Sequence, residues 1–187
     1  MLSVTVTDQA PPVIVCPAPV TLEGCGQPPA PAVSGQAAAT DDCGPTPSVG
    51  FADELSGTTC DRLVTRTWSA TDASGKKALC TQTIAIRDQT APVFTLCPPA
   101  VTVPCGQQNN LDISGKAEAQ DACNGATPLT HTDNTSGFDG CSGVIVRTFS
   151  SADSCGNTAT CLQTITVFDN VQPVFTVCPQ AVFANCG

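Results

Sequence analysis

The sequence predicts an all-β fold, built as tandem disulfide-rich β-sandwich repeats. Three observations carry the prediction: a repeat of about 81 residues, two-residue alternation of apolar and polar side chains, and 13 cysteines in a chain of 187 residues.

The repeat is written in the cysteines. Cys16, Cys97 and Cys178 each precede a proline and recur at one fixed interval, the length of the repeat. Cys60 and Cys141 keep that interval, as do Cys80 and Cys161, while Cys25 and Cys105, and Cys43 and Cys123, are closer by one position. The residues between them agree: VSGQAAATDDCG matches ISGKAEAQDACN, and LVTRTWSATDASGKKALC matches VIVRTFSSADSCGNTATC. Residues 9–88 therefore form one copy and 89–169 a second. Residues 1–8 match the last strand of a preceding copy, and 170–187 match the start of a third, truncated one. This register is expected of an excerpt from a longer repetitive protein. The opening MLSVTVTDQAPP lacks the charged start and long apolar stretch of a signal peptide, so a secretion signal is expected upstream.

Each copy reads as short strands. Gln163, Ile165 and Val167 alternate with Thr164 and Thr166, and Gln82, Ile84 and Ile86 with Thr83 and Ala85. Val64, Arg66, Trp68 and Ala70 alternate with Thr65, Thr67 and Ser69. Asp72-Ala73-Ser74-Gly75 and Asp153-Ser154-Cys155-Gly156-Asn157 supply turn residues between two such strands, the pattern of a hairpin. No segment has helical periodicity; the alanine-rich stretch from Gly35 to Thr40 fits a strand better. Some seven strands with turns every 8–12 residues suggest an antiparallel sandwich of immunoglobulin-like architecture. Trp68 and Phe149 share one repeat position and are expected to anchor its small core.

Composition removes whole function classes. Seven Lys and Arg face 16 Asp and Glu, a net charge of −9, so phosphate backbones and anionic membranes are poor partners. No apolar run approaches the roughly 18–20 residues of a membrane span. A 41% hydrophobic, 12% charged composition is not that of a disordered chain. The cysteine density points to an oxidising compartment. Zinc fits poorly, because even the nearest pairs, Cys155 with Cys161 and Cys97 with Cys105, are wider than the close pairs zinc favours.

DQTAPVFTLCPPAV at the front of a copy and TRTWSATDASGKKALCTQTIAI at its end resemble the hyalin-repeat modules (HYR and HYR-like). The resemblance spans both complete copies and the partial ends. It departs at Ser74-Gly75-Lys76, where the other copy has Cys155-Gly156-Asn157. It implies an immunoglobulin-related, extracellular module of adhesion or structural surface proteins, not an enzyme. The family pattern implies the bridges Cys16–Cys80 and Cys97–Cys161. Cys123 and Cys155 sit in loops flanked by Asp, Asn and Gly and are paired on that ground; Cys105–Cys141 then remains, and Cys25–Cys60 follows by analogy. Cys43, facing Ser74, is expected to be free or cross-linked to another chain. Cys178 and Cys186 lack partners in the truncated copy.

The remaining candidates are few. His131 aligns with Phe51 and has no catalytic companions, so it is expected to be a partly packed strand residue. G-x-S-x-G, H-E-x-x-H and G-x-x-x-x-G-K-[ST] are absent, and no catalytic residue is expected. Asp8, Asp88 and Asp169 stand before each junction as weak calcium candidates, with one nearby carboxylate per junction against the 6–8 oxygens that Ca²⁺ takes. Asp41, Asp42 and Asp121 precede loop cysteines, and Asp53 aligns with Asp133. Arg66 and Arg147, just before the core aromatic, are expected to snorkel at the sheet edge. Asn134-Thr135-Ser136 is a glycosylation sequon in an expected loop. Phe94, Phe175 and Phe183 are either first-strand core or lateral contact residues.

The junction from Ile86 to Val93 holds Ala91-Pro92 and no Gly/Ser linker, which favours stiff alignment of copies. The expected function is a structural repeat of a long extracellular fibre, filament, stalk or adhesin shaft, secreted or on a surface appendage. It would be stabilised by disulfides and act through contacts with other copies or with cell-surface and matrix proteins, including filament self-assembly. The alternative is a cell-surface binding module that recognises a glycan or receptor through loops 44–59 and 124–140, which differ between copies.

Overall fold

The computed structural model describes residues 7–180. Most of the strand expected over 1–8, together with Phe183 and Cys186, lies outside the described residues. The chain divides into two compact units. The first takes the chain up to Val93 with Gln120–Pro128 and Ala152–Ala159; the second takes Phe94–Ala119, Leu129–Ser151 and the chain from Thr160.

The first repeat runs β1 (Val13–Val15), β2 (Val20–Glu23), α1 (Pro31–Ser34), β3 (Ala38–Thr40), β4 (Ser48–Gly57), β5 (Asp61–Thr71) and β6 (Lys77–Arg87). The second runs β7 (Val93–Leu96), β8 (Val101–Pro104), α2 (Leu111–Ser114), β9 (Glu118–Asp121), β10 (Gly125–Ala126), β11 (Leu129–Phe138), β12 (Gly143–Ala152) and β13 (Thr158–Phe168). The described residues are thus nearly all β, in several sheets.

In the first unit a four-stranded sheet has the order β2-β6-β5-β4. β2 lies parallel to β6, and the β5 pairings are antiparallel. β1 pairs antiparallel with β3, and the β9–β10 hairpin sets Gly125 opposite Asp121. The second unit repeats the large sheet as β8-β13-β12-β11. The register is conserved between them: Trp68 faces Phe51 as Phe149 faces His131, and Arg66 faces Asp53 as Arg147 faces Asp133. The divergent segments expected as loops 44–59 and 124–140 are mostly the outer strands β4 and β11 of these sheets. β-Branched and aliphatic residues at alternate positions supply the two small cores, Val64, Ile84 and Ile86 in one and Val103, Ile145, Ile165 and Val167 in the other.

Two one-turn helices interrupt the expected strands. Four residues are too few to show a helical period, so pattern reading misses them. Proline at the first turn of α1 and the Asn110 side chain, which accepts from the Asp112 amide, start them. Gly35 and Gly115 end them at φ +99° and +101°. A Cβ there would lie 2.8 Å from Pro17 Cβ or 2.9 Å from Pro98 Cβ. These are the prolines of the recurring Cys-Pro pairs, so the glycine and the Cys-Pro are one packing unit. Gly115→Ala is expected to destabilise the second repeat by about 1–3 kcal/mol through left-handed strain and this clash, read as a lowered urea midpoint at unchanged slope.

Candidate functional site

Alternation along β5 places Val64, Arg66, Trp68 and Ala70 on one face, and all four are buried; Arg66 is 1% and Arg147 0% exposed. The arginines therefore do not snorkel. Each guanidinium lies inside, where a charge must be paired and hydrogen-bonded. Arg66 donates from Nε and Nη2 to the two oxygens of Asp53 at 2.7 Å each, from Nη1 to Ser34 Oγ at 2.9 Å and from Nη2 to the Pro29 carbonyl at 2.7 Å. Arg147 grips Asp133 the same way at 2.8 Å twice, and reaches Ser114 Oγ and the Gln108 carbonyl, both at 3.2 Å. A planar fork ties the central strand to an outer strand and to the one-turn helix, a task for which lysine has the wrong geometry. The Arg147 hydrogen bonds hold the Asp133 carboxyl below its usual range against the opposing effect of burial.

Beside the arginines, Gln82 Nε2 donates to the carbonyls of Ala18 and Ser34, and Trp68 Nε1 donates to Gln82 Oε1 at 3.3 Å. Gln163 repeats the carbonyl contacts to Pro99 and Ser114. Phe149 has no N–H to offer, and Gln163 Oε1 is left buried without a partner.

The cysteines distribute differently from the sequence reading. Cys16 bonds Cys80, Cys97 bonds Cys161 and Cys105 bonds Cys141. The expected Cys25–Cys60 and Cys123–Cys155 bridges do not form. Cys25 bonds Cys123 and Cys60 bonds Cys155, with Cα–Cα distances of 4.9 and 5.2 Å. The reason is positional. Gly24 donates to the Arg87 carbonyl and Asp88 donates to the Cys60 carbonyl, so Cys25 and Cys60 flank the point where β6 ends. The loops carrying Cys123 and Cys155 pack at that same point inside the first unit. These bridges span 98 and 95 residues of sequence. In the chain-entropy account loops of that length are worth roughly 4–5 kcal/mol each. Cys43 and Cys178 are free.

Aspartates build the loops. Asp121 Oδ1 accepts from the amides of Cys123 and Asn124, and Asp153 Oδ1 from those of Cys155 and Asn157. Asn124 Nδ2 donates to Asp88 Oδ2 and Asn157 Nδ2 to the Asp88 carbonyl. Burial disfavours the Asp153 charge, but hydrogen bonds from the Asn157 side chain and from the amides of Asn157, Cys155 and Gly156 outweigh it and hold its pKa below the usual value.

The junction carboxylates are not solitary, as the sequence suggested. Asp88 lies within 4.8 Å of both Asp121 and Asp153, and Asp8 is equally close to Asp41 and Asp72. In the latter group each Oδ2 is buried without a hydrogen-bond partner, while Lys76 Nζ stands 3.8 Å from Asp8 Oδ1. The Asp8, Asp41 and Asp72 group is all-oxygen and has the donor chemistry of a Ca²⁺ ligand set, with three carboxylates against the 6–8 oxygens it takes, whereas each Asp88 group holds two carboxylates and a disulfide-bonded cysteine, Cys123 or Cys155. Asp169 is exposed, accepts from the Val171 amide and joins no such group among the described residues.

The other candidates are placed as follows. His131 is an exposed residue of β11 whose ring lies 5.9 Å from that of Phe149. It borders a pocket of about 210 Å³ with Leu111, Lys116 and Leu129, below the ~300 Å³ at which small-molecule sites begin. Asn134 is exposed, but it sits at a bulge within β11 and not in a loop. Phe94 is half-buried on β7, and Phe175 is 87% exposed. No described helix is long and apolar enough to cross a membrane.

No protein-family model matches the chain, and no curated protein matches it. Among solved structures it is similar to human mucin-like protocadherin EC1-2, at 10% identity and TM-score 0.34, covering 84% of this chain and 98% of that one. It is also similar to protocadherin gamma C5 EC1-3, at 13% identity and TM-score 0.32, covering 84% and 68%. At these scores neither likeness carries weight for function.

Proposed function

We propose that the chain is a structural repeat of an extracellular fibre, stalk or adhesin shaft that works through covalent reinforcement and protein–protein contacts. The observation that supports this reading is the pair of bridges Cys25–Cys123 and Cys60–Cys155, which tie loops of the second repeat to the first. Bonds of this kind persist in oxidising surroundings outside the cytosol. The hyalin-like segments agree with such a setting. Both buried arginines serve packing, and the His131 pocket is small, so the side chains that define each module hold it together.

Limited proteolysis before and after reduction, beside a glycan array, tests the reading. The oxidised chain is expected to resist cleavage, lose that resistance on reduction and give no glycan signal. Saturable glycan binding, with cleavage unaffected by reduction, would move the assignment to a cell-surface recognition module.

A further inference from the structure

We infer that the carboxylates of Asp8, Asp41 and Asp72 form a Ca²⁺ site in the first repeat, and that the equivalent acids of the second repeat do not. The inference stands on the geometry of the first repeat and does not rest on the proposed shaft role.

The three acids come from separate parts of the repeat: Asp8 precedes β1, Asp41 follows β3 and Asp72 follows β5. Carboxylate oxygens of all three lie within 4.8 Å of one another. Oxygens bound to one Ca²⁺, each roughly 2.3–2.6 Å from it, stand at most about 5 Å apart, so a single ion can touch all three. The Asp8 side chain is 6% exposed and Asp72 is 7% exposed. Each acid commits its Oδ1 to the backbone, accepting from the amides of Ala10, Cys43 and Lys76 in turn. Each Oδ2 is buried and accepts nothing. A buried carboxylate oxygen without a donor is costly, and three in one place call for a cation. Lys76 does not fill that need. Its Nζ donates to the Asp8 carbonyl, stands 3.8 Å from Asp8 Oδ1 and bonds none of the three Oδ2 atoms. Three carboxylates and one ammonium leave two negative charges, which a divalent ion balances. A cavity of about 310 Å³, lined by Ala10, Thr40, Asp41 and Asp42 among others, borders the group and gives an ion with its waters a way in.

The second repeat meets the same need differently. The repeat register carries Asp8, Asp41 and Asp72 onto Asp88, Asp121 and Asp153, Gly44 onto Asn124, and Lys76 onto Asn157. There two side-chain amides supply the donors. Asn124 Nδ2 donates to Asp88 Oδ2 and Asp121 Oδ1, and Asn157 Nδ2 donates to Asp153 Oδ2. Only Asp121 Oδ2 is left without a donor, against all three Oδ2 atoms in the first repeat. Both asparagines belong to the same repeat as the acids they serve. The donors missing around Asp8, Asp41 and Asp72 are therefore ones that the first repeat's own sequence replaces, with Gly44 and Lys76. Ca²⁺ is the ion that fits, because the group offers hard oxygens alone, and Ca²⁺ accepts irregular oxygen sets where Mg²⁺ demands a near-ideal octahedron.

The test titrates CaCl₂ into the oxidised, chelator-treated full chain by calorimetry and follows the melting of the first repeat by the fluorescence of Trp68. One ion per chain is expected, with a Kd of roughly 10⁻⁴–10⁻³ M, as in extracellular calcium modules, together with a higher melting temperature. Asp41→Asn, which keeps an oxygen for the Cys43 amide, should weaken binding about tenfold or more. Asp121→Asn, at the equivalent position of the second repeat, should leave it unchanged. Lys76→Met should tighten binding by about threefold or more, since the ammonium competes with the ion for the same charge. No heat and no melting shift up to about 10 mM calcium, in a chain whose Trp68 emission shows it folded, overturns the inference. It also falls if Asp41→Asn binds as the unaltered chain does, or if Asp121→Asn removes the binding. A shift reproduced by NaCl of equal ionic strength is screening of the chain's negative charge, and overturns it too.

Discussion

Arg147→Ala is expected to remove about 3–5 kcal/mol of stability from the second repeat. The loss is large because it leaves the Asp133 carboxylate, Ser114 Oγ and the Gln108 carbonyl without their common donor. Against the roughly 5–15 kcal/mol that holds a typical domain folded, that approaches the whole margin. Trp68, the sole tryptophan, lies in the first repeat, so fluorescence does not report the second. Hydrogen exchange of peptides from β11, β12 and β13, quenched with reductant, is the measurement, and protection there should collapse. Retained protection would mean that the buried guanidinium is not what holds the outer strand and α2 to β12. The ion pair also fixes a pH dependence. Because the folded pKa of Asp133 is below its usual 3.8, its contribution is present above that value and is lost as pH falls through the folded pKa. Arg147 stays charged throughout, so acid leaves it buried and unpaired. Asp133→Asn should be less stable at neutral pH and should flatten the stability slope below about pH 4.

The alternation Val64, Arg66, Trp68, Ala70 already put the arginine on the inner face. What opposed that reading was the general tendency of arginine to reach water. The recurrence of Asp53 and Asp133 opposite the two arginines was the signal that could have outweighed it, since a buried guanidinium needs a carboxylate at one fixed register position. The cysteine errors have a different origin. In a strict tandem repeat, a bond within a copy and a bond to the next copy use the same residue types at the same repeat positions. Sequence spacing does not separate them; knowing which end of the sheet each cysteine occupies does. One clue was present: the first copy has Cys43 but Ser74. Pairing within copies makes Cys43 an orphan, whereas pairing between copies assigns Cys43 and position 74 to two different bridges. The Asp8, Asp41 and Asp72 group was hidden for the same reason, because its members are widely separated in sequence and meet only once the hairpins fold.

Pulling the oxidised chain from its two ends should meet two successive load paths. The shortest covalent route crosses Cys16–Cys80, follows the chain from Cys80 to Cys97 and crosses to Cys161. Each crossing hides 64 residues from the force. If Cys16–Cys80 were alone, Cys16→Ser/Cys80→Ser would free its full loop, about 220 Å of contour. The other bridges prevent that. The taut route then runs from position 16 to Cys25, crosses to Cys123, returns along the chain to Cys97 and crosses to Cys161. Compared with the original link from Cys80 to Cys97, the gain is about 18 residues, or ~60 Å. Removing Cys25 and Cys60 as well abolishes the detour and restores the full ~220 Å. Single-molecule extension of the three chains, each first mapped for its remaining bridges, distinguishes the steps. A gain of ~220 Å from Cys16→Ser/Cys80→Ser alone would show that the bonds between repeats carry no load. A short gain in that chain and a long one in the quadruple variant would make Cys25–Cys123 a second line of restraint, engaged only when the first has broken. A staged restraint of that kind is the mechanical property that the proposed shaft role calls for.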